Sequence, residues 1–149
     1  MLTWILVSLV AAFVAFALWV RIAPDDPARW HQDPETAVER DLKNDFIVKP
    51  GGQGADIASP VYAETPESLL ARFRDVALSE PRVALLSDEG GFLTFVARTR
   101  LMAYPDYVSV KAAPAEGGGA ALFIHSRSRF GLDDLGVNAA RVSAWLSRL

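Results

Sequence analysis

Between Ser126 and Arg141 this 149-residue chain crowds together more reactive side chains than anywhere else along its length. The run Ser126-Arg-Ser-Arg-Phe-Gly-Leu-Asp-Asp-Leu-Gly-Val-Asn-Ala-Ala-Arg141 holds Ser126, Arg127, Ser128, Arg129, Asp133, Asp134, Asn138 and Arg141. Arg98, Arg100 and Asp106 join it if the strands between them run antiparallel, because the end of one strand and the start of the next then share an edge. Guanidinium forks, hydroxyls and the free N–H groups of a helix N-terminus together suit an anion: a phosphate, a carboxylate or a lipid head group. The same residues also suit bracing, with Asp106, Asp133 and Asp134 pairing arginines to lock the loop and closing helix onto the sheet. In that reading Arg127 shares a strand face with His125 and Phe123, is at least partly buried, and bonds to Asp133 or Asp134.

Catalysis is not indicated. Adjacent strand residues point to opposite faces, so His125 and Ser126 do not form a base–nucleophile pair, and Ser128 lies on the same face as Ser126. Asp133 and Asp134 suit capping better than acid–base work. The chain has no cysteine, which removes disulfides, thiolate metal sites and a cysteine nucleophile. His31 and His125 are too far apart in sequence for ligand spacing, and no metal or cofactor is expected. A formal net charge of −3 argues against a nucleic-acid partner.

The surrounding segments read as an α+β fold: an antiparallel meander sheet packed by two helices. Short β-rich runs at Val83–Ser87, Phe92–Thr99, Tyr107–Ala112 and Ala120–Ser128 are separated by glycine- and proline-bearing turns. Phe46-Ile-Val48 marks a further strand, and Pro50-Gly-Gly-Gln-Gly54 is a turn, since it lacks the Lys-Ser/Thr of a phosphate loop. Thr65 caps a helix with Pro66 at its first position, and Leu69, Leu70, Phe73, Val76 and Ala77 form its apolar stripe. A cap at Asn138, with Val137 and Val142 as a hydrophobic staple, starts the closing helix, whose buried face is Val142, Trp145, Leu146 and Leu149. Glu35 to Lys43 is expected as a short charged helix.

Residues 1–21 are expected to form a single-pass membrane anchor, 22–43 a proline-rich juxtamembrane linker, and 44–149 the α+β domain. Thr3 to Val20 carries no charge and spans about 27 Å as a helix, near the minimum for a hydrocarbon core. Trp4 and Trp19 sit near its ends, where indoles favour the interface. A cleaved signal with a site after Ala17 is the alternative, but no basic residue precedes the apolar run. Arg21 and Arg29 favour a cytoplasmic domain, whereas an N-terminal anchor commonly exports the domain behind it, and the balance leans to the periplasmic side of a bacterial inner membrane. Ser8, Ala11, Ala12 and Ala15 place small residues on one helix face, which lets a partner helix approach closely; Leu9, Phe13 and Phe16 suit lipid.

Pro27-Ala-Arg-Trp-His31, Arg98-Thr-Arg100 before Tyr104-Pro-Asp106, and Ser126-Arg-Ser-Arg129 with Gly131, Asp134-Leu-Gly-Val-Asn138 and Arg141 resemble the domain-of-unknown-function 1499 family. The resemblance covers nearly all of the chain behind the anchor. It implies a bacterial or plastid setting, often behind a membrane anchor or export signal, and it implies no particular chemistry. Residues and resemblance together lead to the expectation of a non-catalytic accessory protein that contacts membrane lipid and a membrane-protein partner through the anchor. The alternative is a module that binds an anionic ligand or lipid head group at the arginine-rich edge.

Overall fold

A computed structural model describes every residue from Met1 to Leu149. Helix α1 (Leu2–Ile22) is long and apolar enough to cross a membrane, with a mean hydropathy of 2.4 in its most apolar window. Ser8, Ala11, Ala12 and Ala15 are all exposed along it. A single turn, α2 (Pro27–Trp30), and a 3-10 turn (Pro34–Thr36) follow, each capped by the aspartate before its proline, Asp26 and Asp33.

The α+β reading holds. Strands β3 (Val83–Ser87), β4 (Leu93–Arg98), β5 (Pro105–Pro114) and β6 (Ala120–Ser128) form the expected antiparallel meander. The sheet extends further: β1 (Asp45–Lys49) pairs antiparallel with β6, and the two-residue β2 (Ile57–Ala58) pairs parallel with β1. The result is a mixed six-stranded sheet in the order β2-β1-β6-β5-β4-β3. The longest strands, β5 and β6, lie at its centre.

Helices α3 (Pro66–Leu78) and α4 (Val137–Leu146) cover one face, called the front here. Thr65 accepts from the Ser68 N–H and Pro66 occupies the first turn, as the sequence implies. Leu69, Phe73, Val76 and Ala77 from α3 and Val142 and Trp145 from α4 meet Phe95, Val108, Val110, Leu122 and Ile124 from the strands. Trp145 packs edge-on against Phe73 and Phe95 at 5.7 and 6.3 Å.

The proline-rich stretch lies across the opposite, back face of the sheet. Trp30 stacks on Tyr107 at 4.1 Å and 9°, and His31 stacks on Phe92 at 4.0 Å and 13°. Asp25 accepts from both Arg98 (2.6 Å) and the Tyr107 hydroxyl (2.7 Å), and Lys111 reaches Asp33 and Glu35. Two local expectations are corrected. Beyond Thr36 the charged segment up to Lys43 is not helical; it is tied to the sheet instead, with Lys49 donating to Ala37 O (2.6 Å) and Arg40 donating to Ser128 O (3.1 Å). Helix α4 starts two residues earlier than expected, at Val137 after a left-handed Gly136 (φ 78°), so Asn138 lies inside the helix rather than capping it. Val137 is then the first helical residue rather than the one before the cap.

Candidate functional site

Alternation along β6 divides the Ser126–Arg141 cluster between two faces. Ala120, Leu122, Ile124, Ser126 and Ser128 point to the front, while Phe123, His125, Arg127 and Arg129 point to the back. The single edge expected for five arginines is therefore two sites with different partners.

On the front, the polar residues lock α4 to the sheet. Fully buried Asn138 accepts from the Ser126 hydroxyl (2.6 Å) and donates to Ser128 Oγ (3.0 Å) and to Asp134 (2.7 Å). Arg141 donates to Asn138 (2.9 Å) and to the Asp106 carboxylate (2.6 Å). Burial raises the Asp106 pKa, and the opposing pull of Arg141 does not fully offset it. Asp134 also accepts from the Asn138 backbone N–H at 2.8 Å, so it satisfies the helix terminus that was considered for an anion. Asp133 is exposed and accepts from the Leu135 N–H. Ser126, Ser128, Asn138, Arg141, Asp106 and Asp134 thus form one hydrogen-bonded network between β5, β6 and α4.

The back holds Arg98, Arg127 and Arg129. Arg98 pairs with Asp25; Arg129 donates to Pro24 O (3.0 Å) and lies over the rings of Trp19 and Phe130. Arg100, in the loop beyond β4, is exposed and makes no side-chain hydrogen bond. Arg127 is 2% exposed, as its face-sharing with Phe123 implies, but it meets neither Asp133 nor Asp134. Those aspartates lie beyond the other face of the sheet. Instead Arg127 donates to Ser109 Oγ (3.2 Å), to His125 O (3.1 Å) and to Trp30 O, while its Nε has no partner. All three acceptors are neutral. Burial and the nearby Arg40 cation pull its pKa down to about 10.

His125 donates from Nε2 to Asp45 at 3.0 Å. Burial and the surrounding cations Arg127, Arg40 and Lys49 push its pKa down to about 3, so this is a hydrogen bond from a neutral imidazole rather than an ion pair. Burial raises the Asp45 pKa. Thr94 Oγ1 lies 2.8 Å from His31 Nδ1, the spacing of a nucleophile and base, but Thr94 is fully buried and bonded to Ser109, out of reach of a substrate. No group of three or more His, Asp or Glu side chains is placed to hold a metal ion.

A cavity of about 600 Å³ opens on this face between the sheet and the 29–40 segment. Arg29, Arg40, Arg127 and His125 line it with Trp30, Gln32 and Thr36, and its one carboxylate, Asp33, is engaged by Lys111. Arg29 and Arg40 were missed by the sequence reading because a sheet face shows no sequence proximity to the segment that crosses it. The tryptophan within a proline-rich run was the available signal, since so large a ring seeks burial.

A mixed sheet with two helices in front and an irregular arginine-bearing strap behind, carried on an apolar helix, defines an α+β domain. Residues 22–149 match the model of a protein family of unknown function, DUF1499, and the chain belongs to that family. Comparison with curated proteins and with solved structures gives no match.

Two outcomes follow. Arg141→Ala strands Asp106 in the front network, and losing one partner of a buried pair costs about 3–5 kcal/mol; urea denaturation of the detergent-solubilised chain measures it. Asp106→Asn in that background restores part of the loss, because a neutral amide needs no counter-charge. His125 supplies the pH dependence. Its folded pKa lies below its unfolded value, so its contribution is complete above about pH 6.5 and is lost as pH falls toward 3. Asp45 and Asp106, raised by burial, act in the opposite sense and stabilise the acid side. The difference between the chain and its His125→Gln variant isolates the histidine: between pH 7 and 4.5 the variant loses about 2–3 kcal/mol less.

Proposed function

We propose that this chain is a membrane-anchored binding module that takes a small carboxylate- or phosphate-bearing anion in the back-face cavity. One observation carries the reading: Arg127, buried to 2% exposure, has only neutral acceptors, a bare Nε, and two further arginines facing the same cavity. Buried charges are normally paired, and an unpaired one remains costly until an anion supplies the missing charge. Arg29 is exposed over the Trp30 ring, and Arg40 is half-buried with one N–H donated to Ser128 O (3.1 Å), so each keeps further donors for a ligand that Arg127 attracts. This relocates the arginine-rich site from the sheet edge to the sheet face.

Isothermal titration of the detergent-solubilised chain with inorganic phosphate and with citrate tests it. Saturable binding of at least one anion is expected, weakened about tenfold or more by Arg29→Ala or Arg40→Ala, since a hydrogen bond to a charged group is worth about 1.5–3 kcal/mol. No saturable binding, or binding unchanged in the double variant, overturns the reading.

A second reading, an accessory protein of a larger membrane assembly, is favoured by the exposed small-residue face Ser8, Ala11, Ala12 and Ala15. Native electrophoresis after mild-detergent extraction of membranes is expected to show a complex larger than the chain. Ser8→Leu with Ala12→Leu is expected to dissolve it. Migration as a lone monomer in every detergent removes this reading.

A further inference from the structure

Three leucines stand out of the domain at its foot. Leu101 is 81% exposed, Leu132 76% and Leu135 90%, and all three lie on the two loops nearest α1, residues 99–104 and 129–136. Leu135 is held in a left-handed backbone conformation (φ 53°) with the Asp133 carboxylate accepting from its N–H at 2.7 Å. A side chain larger than glycine's adopts that conformation at an energetic cost, and here the result is an apolar group directed away from the fold.

The same loops are fastened to the end of α1. Phe130 packs on Phe16 and Trp19 at 6.1 and 5.5 Å, and Tyr104 lies 6.3 Å from Phe16. Arg21 donates to Leu101 O at 2.9 Å. Trp19 is the expected interfacial tryptophan, and Phe16 is three residues, about 4.5 Å, deeper along the helix. If α1 spans a bilayer, Phe130 and Tyr104 are already level with its interface, and the loop tips fixed to them lie beside the head groups, within reach of the acyl chains. Arg100, exposed and unpaired, sits next to Leu101, where a cation meets lipid phosphates.

We propose that the 99–104 and 129–136 loops insert Leu101, Leu132 and Leu135 into the bilayer interface beside α1, making the domain's foot a lipid-contacting surface that fixes its tilt. The occupant is lipid rather than a protein, because the patch is continuous with the helix whose lipid contact it extends. The proposal rests on the reading of α1 as a membrane anchor, and the experiment separates the two. It requires no anion in the back-face cavity.

The chain has no native cysteine, so single substitutions label cleanly. Leu101→Cys, Leu132→Cys and Leu135→Cys, each carrying an environment-sensitive NBD fluorophore, are reconstituted as full chains in phosphatidylcholine–phosphatidylglycerol vesicles. Val10→Cys within α1 reports insertion, and Glu116→Cys in the β5–β6 turn, at the far end of the sheet, reports water. The three loop positions are expected to show blue-shifted emission and quenching by lipids bearing a nitroxide high on the acyl chain, with Glu116→Cys unquenched. Loop emission matching Glu116→Cys while Val10→Cys is quenched overturns the loop insertion and leaves the anchor intact. An unquenched Val10→Cys overturns the anchor and the proposal together. Blue-shifted loops that escape lipid quenching and turn water-like on dilution with lipid assign the patch to a second copy of the chain, which also overturns it.

Discussion

Strand β6 is buried on both faces, and every polar residue it carries must be answered within the fold. On the front the answer is complete: Ser126 and Ser128 meet Asn138, and Asn138 is held by Arg141 and Asp134. On the back it is incomplete. Arg127 stands opposite Tyr107 and Asp45 across the sheet, yet its donors go to neutral oxygens. Closing the back face therefore depends on the strap that supplies Trp30 O, and the strap depends on Asp25 bridging Arg98 and Tyr107.

Local signals were legible in the sequence where one segment decides its own structure. The Thr65-Pro66 start of α3, the turns of the meander and the stripe of Val142 and Trp145 are of this kind. Misreadings arose where a distant partner decides. Asn138 has the side chain of a cap, but Asp134 takes the Gly136 and Asn138 N–H groups and Gly136 supplies the left-handed turn, so the helix begins earlier and Asn138 is drawn inside to the strand hydroxyls. The arginines were gathered at one edge because their strand ends meet there. The period of two then separates Arg127 and Arg129 from Ser126 and Ser128 by the thickness of the sheet. Residues 22–43 carry three prolines and look like a spacer; only the stacking of Trp30 on Tyr107 and His31 on Phe92 reveals a cover for the back face.

The strap also joins the two ends of the molecule. Its first residues continue directly from α1, where Val20 and Ala23 are buried and Arg129 holds Pro24 O, and its later residues form the wall of the cavity. Phe16, assigned to lipid on sequence grounds, packs instead beside Tyr104 and Phe130, so the end of α1 belongs to the domain's packing. Rotation of the domain about the helix would break the aromatic cluster, the Arg21–Leu101 contact and the Asp25 bridge together. A cavity built this way keeps a fixed bearing to α1.

Asp45 lies on the same strand pair as Arg127 but its carboxylate does not bond to the guanidinium. It is the carboxylate nearest in register to Arg127, and a salt bridge between them would close the account and leave a structural arginine. Instead Asp45 receives the Nε2–H of His125, which the surrounding cations and burial keep neutral. A protonated His125 would add a fourth positive group to a site that already holds Arg29, Arg40 and Arg127; its pKa is lowered first by burial and then by the charges of Arg127, Arg40 and Lys49. The neutral imidazole takes up the Asp45 oxygen without cancelling its charge, so the carboxylate eases the burial of Arg127 only through space. The guanidinium is left tolerable but uncapped, with Nε bare, and Arg40 beside it makes the deficit larger rather than smaller. A fold needing only a brace could have joined Asp45 to Arg127 directly. Holding the two apart leaves the positive potential of Arg127 facing the cavity uncancelled by a direct ion pair, and that potential is what the proposed anion would answer.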